Sequence, residues 1–362
     1  MMNDADHRNF KYVFVCGLPR SGTSLLGRNI ARLENCTGLQ ETGVMEDEGT
    51  FLQDVYPTEG ELGGPGRFGF NPRAHLTEAS PLLTAENALK LLRSWERYWE
   101  QGKNIRVEKT PANLLMTRFL QAAFPNSYFV VIRRHPVPMS LAIQKWKVSI
   151  TSLHVMFEHW LHCHELFEQD RKHLHRVYEL TYEDYIQNPH KYHQEIAAFI
   201  GTRVPKPPQE DTFRIVAQWR KPEGIRVPKM TMEEVTDAHN QRYFQRWWRL
   251  LNNSRFKGYY RYIARKYEPR FAKYGYSLVA GLNVEDRSLS ERVELAGVVG
   301  RGYCLGAEVG TFLWRSALRI KWRTKQKIRS ALSANTPSRI RRARQGATVT
   351  KESAAGSDAF IG

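Results

Sequence analysis

A short apolar strand that runs directly into a glycine-containing turn constrains this chain of 362 residues more than any other feature. Residues 13–26 are Val-Phe-Val-Cys-Gly-Leu-Pro-Arg-Ser-Gly-Thr-Ser-Leu-Leu, which predicts a buried strand, a turn and the start of a helix. In such an arrangement, backbone N–H groups and the positive end of the helix point at one anion. The sequence therefore predicts an α/β fold with a phosphate cradle after its first strand.

The turn departs from the pattern of nucleoside triphosphate enzymes. Gly17 and Gly22 have the G-x-x-x-x-G spacing of a P-loop, but Thr23 follows where those enzymes carry lysine. That lysine contacts the β- and γ-phosphates of ATP or GTP. The cation of this turn is Arg20 instead. We therefore expect the loop to hold a phosphate that does not belong to a triphosphate.

A second apolar run, residues 128–132, predicts a parallel strand covered on both faces. Charged residues follow it, and Pro136 is a residue type that commonly begins a helix. Ligands of open α/β sheets bind at the carboxyl edge of the strands. Arg134 is therefore predicted to meet a second phosphate at that edge.

The string Gly-Leu-Pro-Arg-Ser-Gly-Thr-Ser at residues 17–24 resembles the 5′-phosphosulfate loop of sulfotransferases. These enzymes use 3′-phosphoadenosine 5′-phosphosulfate (PAPS) as sulfuryl donor. Three later segments resemble further elements of that family in the same order: E-K-T-P-A-N at 108–113, R-H-P and its following helix at 134–146, and Y-E-D-x-x-x-x-P at 182–189. The resemblance covers residues 10–205 well and 206–280 loosely, and it is strongest to the bacterial, plant and protein-tyrosine members.

The resemblance implies a three-layer α/β fold, with a parallel sheet flanked by helices as in P-loop NTPases. The predicted organisation is a sulfotransferase domain at 1–280, an extension with a basic amphipathic helix at 281–332, and a disordered tail at 333–362. No internal repeat interrupts this arrangement.

The resemblance also implies which residues bind the donor. The predicted donor-binding residues are Pro19, Arg20, Ser21, Gly22, Thr23, Ser24, Arg134, Ser140 and Tyr182. One departure affects the 3′-phosphate. The family pattern places a serine eight positions after the arginine, where this chain has Ala142. Ser140 is the nearest serine, and two residues are about 200° of rotation on a helix. We therefore expect Ser140 to point away from that position.

Catalysis of sulfuryl transfer needs positioning, charge stabilisation and a base, by analogy with phosphoryl transfer. Lys109 and Arg20 are predicted to stabilise the leaving oxygen. The base has two main candidates. Glu41 lies 21 positions after Arg20, the spacing of a base glutamate in protein-tyrosine sulfotransferases. The run Glu46–Glu48 resembles an acidic element of bacterial and plant members, with Glu48 as the residue chosen, although such a run is also typical of a helix N-terminus.

A third candidate for the base is His75, because cytosolic sulfotransferases use a histidine. A general base works best when its pKa lies near the working pH. The histidines between residues 154 and 164 lack the carboxylate partners of a metal site, so no metal is expected. The sequence leaves the acceptor open among carbohydrate, lipid and other small-molecule hydroxyls.

Two further functions remain open at this stage: a P-loop kinase-like phosphotransferase, and a non-catalytic protein that binds PAP or a membrane. The four cysteines form no C-x-x-C pair and indicate a reducing compartment, which we expect to be the cytoplasm. The early loop leaves little room for a signal peptide before it.

Eleven of the 17 net positive charges fall within residues 309–350, which contain no acidic residue. Residues 312–330 within this tail predict a basic amphipathic helix that docks on the domain or contacts an anionic inner-membrane surface. No motif for specific nucleic-acid recognition accompanies this charge.

Overall fold

The computed structural model describes residues 10–145, 151–206, 232–254 and 256–279, together with the single positions 306, 309, 313 and 324. Within these residues, one sheet of parallel strands has the order β2-β3-β1-β4-β5. The strands are β1 (Lys11–Gly17), β2 (Cys36–Gly38), β3 (Ile105–Lys109), β4 (Ser127–Arg133) and β5 (Val177–Thr181). The predicted α/β class with a parallel sheet is confirmed.

Helices connect the strands and cover the sheet. They are α1 (Thr23–Ile30), α2 (Ala85–Glu96), α3 (Thr117–Ala123), α4 (Pro136–Lys145), α5 (Leu153–Asp170), α6 (Tyr182–Gln187), α7 (Pro189–Ile200), α8 (Met232–Asn252) and α9 (Lys257–Ala272). Short 3₁₀ segments lie between them, at Met45–Asp47, Gly49–Phe51, Phe68–Phe70, Pro72–Ala74, Pro111–Leu115 and Arg171–His173. The predicted helix start at Pro136 is confirmed.

Apolar side chains pack on both faces of the sheet, as a parallel sheet requires. Along β1, Val13 and Val15 belong to one hydrophobic cluster, together with Leu26 of α1. Phe14 and Cys16 point to the opposite face and belong to a second cluster. Since successive strand residues alternate between faces, a continuous apolar run is what the central strand needs.

The strand order places a crevice between β1 and β4. The chain leaves β1 toward β2 on one side of the sheet, whereas it leaves β4 toward β5 on the other side. Ligands of open α/β sheets bind at the carboxyl ends of the two strands where the connections diverge in this way. The residues that follow Gly17 and Arg133 therefore meet at the expected binding edge.

The C-terminal predictions fall largely outside the described residues. The chain divides into two compact units, Met1–Glu308 and Val309–Gly362. The predicted boundaries at 280 and 332 lie at undescribed positions, so they stay predictions. Of the predicted helix at 312–330, Leu313 and Thr324 are described, and both are helical and exposed. In the described part of the chain, no helix combines the length and apolar character needed to cross a membrane.

Candidate active site

The turn after β1 has the backbone shape of an anion cradle. Arg20 and Gly22 have positive φ angles of 72° and 99°, and the N–H of Ser21 donates to the carbonyl of Leu18 at 3.0 Å. Gly22 is also in close contact with α6: a Cβ at this position would lie 2.5 Å from the ring of Tyr182. Both the φ angle and the space therefore require glycine here.

Helix α1 begins at this cradle without a side-chain cap on its first N–H groups. The N–H groups of the first turn of a helix have no intrahelical partner, and they carry the positive end of the helix dipole. The first turn of α1 contains no acidic residue. Thr23 and Pro19 are buried, and Ser24 is half-buried. The Ser21 hydroxyl is fully buried and has no hydrogen bond to a described residue. The cradle therefore fits an anion.

Arg134 joins three of the four sequence motifs. Its guanidinium donates to the carbonyl of Arg20 at 2.7 Å, and it lies 4.2 Å above the ring centroid of Tyr182. Trp160 fixes its backbone, because the indole N–H donates to the Arg134 carbonyl at 3.0 Å. Arg134 is 3% exposed. The predicted donor residues of the loop, of β4 and of α6 thus lie together at the crevice between β1 and β4.

Ser140 lies on α4, which is buried along its described side chains. Its hydroxyl is buried and has no hydrogen bond to a described residue. Ala142, at the position of the family serine, is buried as well. A buried hydroxyl without a partner is costly unless a ligand or water satisfies it. The predicted contact between Ser140 and the donor stays a prediction.

Lys109 ends β3 and points into the site. Its ammonium lies 2.9 Å from a carboxylate oxygen of Glu48 and 2.9 Å from the backbone carbonyl of Glu46. Burial raises the pKa of Glu48, and the charge and hydrogen bond of Lys109 oppose that rise. The sequence analysis assigned Lys109 the role of the cation and listed Glu48 as a candidate base. In the structure the two side chains form one ion pair.

The acidic run Glu46–Asp47–Glu48 sends each carboxylate to a different partner. Glu46 faces Arg28 of α1 at 3.9 Å. Asp47 accepts hydrogen bonds from the N–H and the hydroxyl of Thr42, at 3.0 and 2.7 Å. Glu48 faces Lys109. A short helix does follow this run: Glu48 is the N-cap residue of the 3₁₀ segment Gly49–Phe51, although its side chain makes no capping hydrogen bond.

Glu108 is a site residue that sequence reasoning missed, although it stands in the quoted E-K-T-P-A-N string. Its buried carboxylate accepts hydrogen bonds from the N–H of Gly49 at 2.9 Å and from the Thr110 hydroxyl at 2.6 Å. The Asn113 amide donates to its other oxygen. Burial raises the pKa of Glu108, and these hydrogen bonds oppose the rise. Glu108 thereby holds the segment that carries Glu48 against the end of β3.

Glu41 and His75, the other candidates for the base, have different surroundings. Glu41 is exposed, with a φ of 53°, and its carboxylate makes no hydrogen bond to another described residue. His75 Nε2 lies 2.8 Å from the buried carboxylate of Asp170, which also faces Arg118 at 3.5 Å. Neither residue is joined by a hydrogen bond to Lys109 or the cradle within the described chain.

Two histidines of α5 make hydrogen bonds within the fold. His159 Nε2 accepts the N–H of Gly69 at 3.0 Å, and burial lowers its pKa to about 3. His154 lies 2.6 Å from the hydroxyl of Tyr267. In the described residues, no group of three or more His, Cys, Asp or Glu side chains has the arrangement of a metal site. Cys16, Cys36 and Cys163 are buried free thiols, and Cys304 lies outside the described residues.

A sequence profile described as the sulfotransferase family matches residues 13–206, which is more than half of the chain. The matched residues include most of the parallel sheet and the cradle at its carboxyl edge. The chain belongs to the sulfotransferase family. No curated protein matches it in a sequence search.

Solved structures with similar folds include other sulfotransferases. The sulfotransferase domain of an olefin synthase from Synechococcus is 15% identical, covers 67% of this chain and 98% of its own, and has a TM-score of 0.39. Sulfotransferase STF1 from Mycobacterium tuberculosis is 14% identical, covers 66% and 79%, and has a TM-score of 0.35. Mouse sulfotransferase SULT7A1, complexed with PAP, is 15% identical, covers 73% and 92%, and has a TM-score of 0.34.

Proposed function

We propose that this protein transfers a sulfuryl group from PAPS to an acceptor hydroxyl and releases PAP. The observation that supports this most directly is the contact between the cradle at residues 18–24 and Arg134, because it brings two anion-binding elements to one crevice. PAPS carries a 5′-phosphosulfate and a separate 3′-phosphate. Two separated anion sites suit such a donor, whereas the absence of lysine after Gly22 disfavours a triphosphate.

The donor-binding roles follow from the placement of the residues. Residues 19–24 would hold the 5′-phosphosulfate through the loop backbone, the side chains of Arg20 and Ser21, and the first turn of α1. Arg134 would hold the 3′-phosphate, with Tyr182 stacked against its guanidinium and Ser140 on the adjacent helix. When bound, PAPS supplies the sulfuryl group and the phosphate that leaves with the electron pair of the broken S–O bond.

Lys109 would supply the positive charge that the leaving oxygen needs, because a buried ammonium stabilises developing negative charge strongly. The acceptor hydroxyl gives up its proton to a carboxylate on this side of the site. Glu48 is the predicted base that faces Lys109. We propose a carbohydrate, lipid or other small-molecule acceptor, and a cytoplasmic location consistent with the three buried free thiols.

Calorimetry tests the donor. The purified chain is titrated with PAP without added metal, and with ATP and Mg²⁺ for comparison. Arg134→Ala removes the proposed 3′-phosphate contact. Arg133→Ala is the matched control, since Arg133 pairs with Glu179 and Glu168 rather than with the cradle.

We expect micromolar or tighter binding of PAP, weakened at least tenfold by Arg134→Ala and less than twofold by Arg133→Ala. Stronger binding of ATP with Mg²⁺ would favour a phosphotransferase. Absence of all nucleotide binding, or equal losses in the two arginine variants, would overturn the proposed donor site.

A further inference from the structure

A narrow cleft lies in the segment that connects β2 to α2. It has room for about one water-sized group. Its lining mixes polar and apolar surface, and its apolar residues include Tyr56, Leu62, Phe68, Leu76, Ala112 and Met116. The polar lining residues include Thr50, Glu59 and the exposed Arg73. A space of this size can take a single hydroxyl-sized group.

The cleft is adjacent to the Lys109–Glu48 pair. Thr50, which lines it, is two residues beyond Glu48, and its N–H donates to the Thr110 hydroxyl at 3.3 Å. Ala112, which also lines the cleft, lies three residues beyond Lys109 in the segment that follows β3. The clamp formed by Glu108 holds both segments together. The cleft and the Lys109–Glu48 pair are therefore built from the same two segments.

Glu59 differs from the other carboxylates near the site. Glu48 pairs with Lys109, Glu108 accepts three hydrogen bonds, and Glu61 accepts two from Thr58. The side chain of Glu59 has no hydrogen bond or ion pair with another described residue. The residue is half-buried and belongs to the lining of the cleft. Ionising a carboxylate that is partly removed from water and has no counter-charge is costly, so a hydrogen-bond donor beside it would be favourable.

The surroundings of Glu59 make it a stronger base than an ordinary glutamate. Burial raises its pKa to about 8, and the negative charge of Glu48 adds to the rise. Cys163 of α5 is a further group that interacts with its charge, and Tyr56 and Arg73 share the cleft. By contrast, the ammonium of Lys109 opposes protonation of Glu48. A general base is most effective when its pKa lies near the working pH.

We infer that Glu59 receives the proton of the acceptor hydroxyl, and that Glu48 instead positions Lys109. This inference rests on the proposed sulfotransferase function. The acceptor oxygen forms a bond to sulfur while the bond between sulfur and the 5′-phosphate oxygen breaks. The proton of the acceptor passes to the Glu59 carboxylate, and the electron pair of the broken bond leaves with the phosphate, beside Lys109. Atoms and charge balance without a metal or a redox partner.

Hydrolysis of PAPS provides a test that does not depend on knowing the acceptor, since water then takes the place of the hydroxyl. The products are PAP and sulfate, which are measured by chromatography over pH 5.5 to 9.5. Glu59→Gln is compared with Glu61→Gln, a matched control in the same loop whose carboxylate is exposed and bound to Thr58. Calorimetry with PAP is run on each variant.

We expect Glu59→Gln to slow hydrolysis at least 100-fold with PAP binding unchanged, and Glu61→Gln to change the rate less than twofold. The wild-type rate should rise with pH to a plateau with an apparent pKa near 8, and this rise should vanish in Glu59→Gln. Unchanged hydrolysis in Glu59→Gln would overturn the inference and leave the donor site intact. If the wild-type protein does not bind PAP, the proposed function itself would be overturned.

Thermal unfolding gives a second readout that needs no turnover. Because the pKa of Glu59 is higher in the folded chain than in the unfolded chain, its ionisation removes stability as the pH rises from about 4.5 to about 8. The Tm of Glu59→Gln minus that of the wild type should therefore increase between pH 5 and 8 and then level off. A difference that is constant, or negative at pH 8, would show that Glu59 has a structural partner and would overturn the inference.

Discussion

The ammonium of Lys109 lies 2.9 Å from a carboxylate oxygen of Glu48, and the two side chains are 9% and 12% exposed. The pair joins the carboxyl end of β3 to the loop that follows β2. Each residue is separated from water, so the charge of each is balanced mainly by the other. Glu48 thus holds Lys109, the predicted catalytic cation, in a fixed position.

Replacing Lys109 with methionine should destabilise the fold by about 3 kcal/mol, because the buried carboxylate of Glu48 loses its counter-charge. Adding Glu48→Gln should recover part of that loss, since no unpaired charge then remains. Urea denaturation measures both changes. Lys90→Met is the control, because Lys90 pairs with Asp54 on the surface and should change stability by less than about 1 kcal/mol. Equal losses in Lys109→Met and the double variant would contradict the coupling.

Gly22→Ala should destabilise the protein by about 3 kcal/mol and abolish PAP binding, because it combines backbone strain with a clash against Tyr182. Gly43→Ala separates these two causes. Gly43 has a φ of 77°, but a Cβ there meets nothing within 4 Å, so the cost should be about 1 kcal/mol. Denaturation and calorimetry with PAP measure the two effects. Similar results for both glycines would show that the contact with Tyr182 is unimportant.

Glu108→Ala should release the segment that carries Glu48, since three donors lose their acceptor at once. We expect a loss of about 3 kcal/mol in stability, typical of a broken buried network. Sulfuryl transfer should fall more than PAP binding, because the cradle makes no contact with Glu108 among the hydrogen bonds of the described chain. A variant that weakens PAP binding as strongly as transfer would place Glu108 in donor binding instead.

His135 should make the fold acid-sensitive. Burial lowers its pKa to about 4, and the carbonyl of Ser277 accepts from Nε2 while Nδ1 accepts the N–H of Val137. The unfolded chain binds a proton at about pH 6.5, whereas the folded chain resists protonation until about pH 4. Stability is therefore present above pH 6.5 and is lost as the pH falls toward 4.

The measurement is the Tm of His135→Asn and of the wild type from pH 4 to 8. His159 shifts in the same direction, so the difference between the two proteins is the informative quantity. The wild type should lose more stability on acidification than the variant. Parallel curves would show that His135 does not contribute to this dependence.

The sequence predicted the parts of this protein that are local. The apolar runs of β1 and β4, the turn at residues 18–22 and the helix start at Pro136 each depend on neighbouring residues, and all are confirmed. Motif order also placed Arg20, Arg134 and Tyr182 in one binding site, since carboxyl ends of parallel strands share one edge. The structure shows that these three residues are in contact through Arg134, whereas their binding of a nucleotide stays a prediction.

The choice among the acidic residues could not be made from the sequence. Glu41, Glu46, Asp47 and Glu48 lie within eight residues, and all four are compatible with a catalytic carboxylate by type and spacing. Which of them faces Lys109 depends on 3₁₀ turns with positive φ angles at Glu46 and Asp47. The Glu46 carboxylate faces Arg28 of α1, and Glu108 of β3 accepts the N–H of the adjacent Gly49, so contacts distant in the chain accompany this arrangement.

The surroundings of Glu59 depend even more on the tertiary structure. This residue stands in no motif, and the segment around it has no strand or helix period that would indicate a buried position. By itself the sequence determined β1, β4, the turn after β1 and the family, because each is written in contiguous residues. Tertiary structure alone decided that Lys109 pairs with Glu48 and that Glu59 lines a cleft without a side-chain partner among the described residues. Burial and charge at a site depend on residues that are far apart in the chain and meet when the sheet forms.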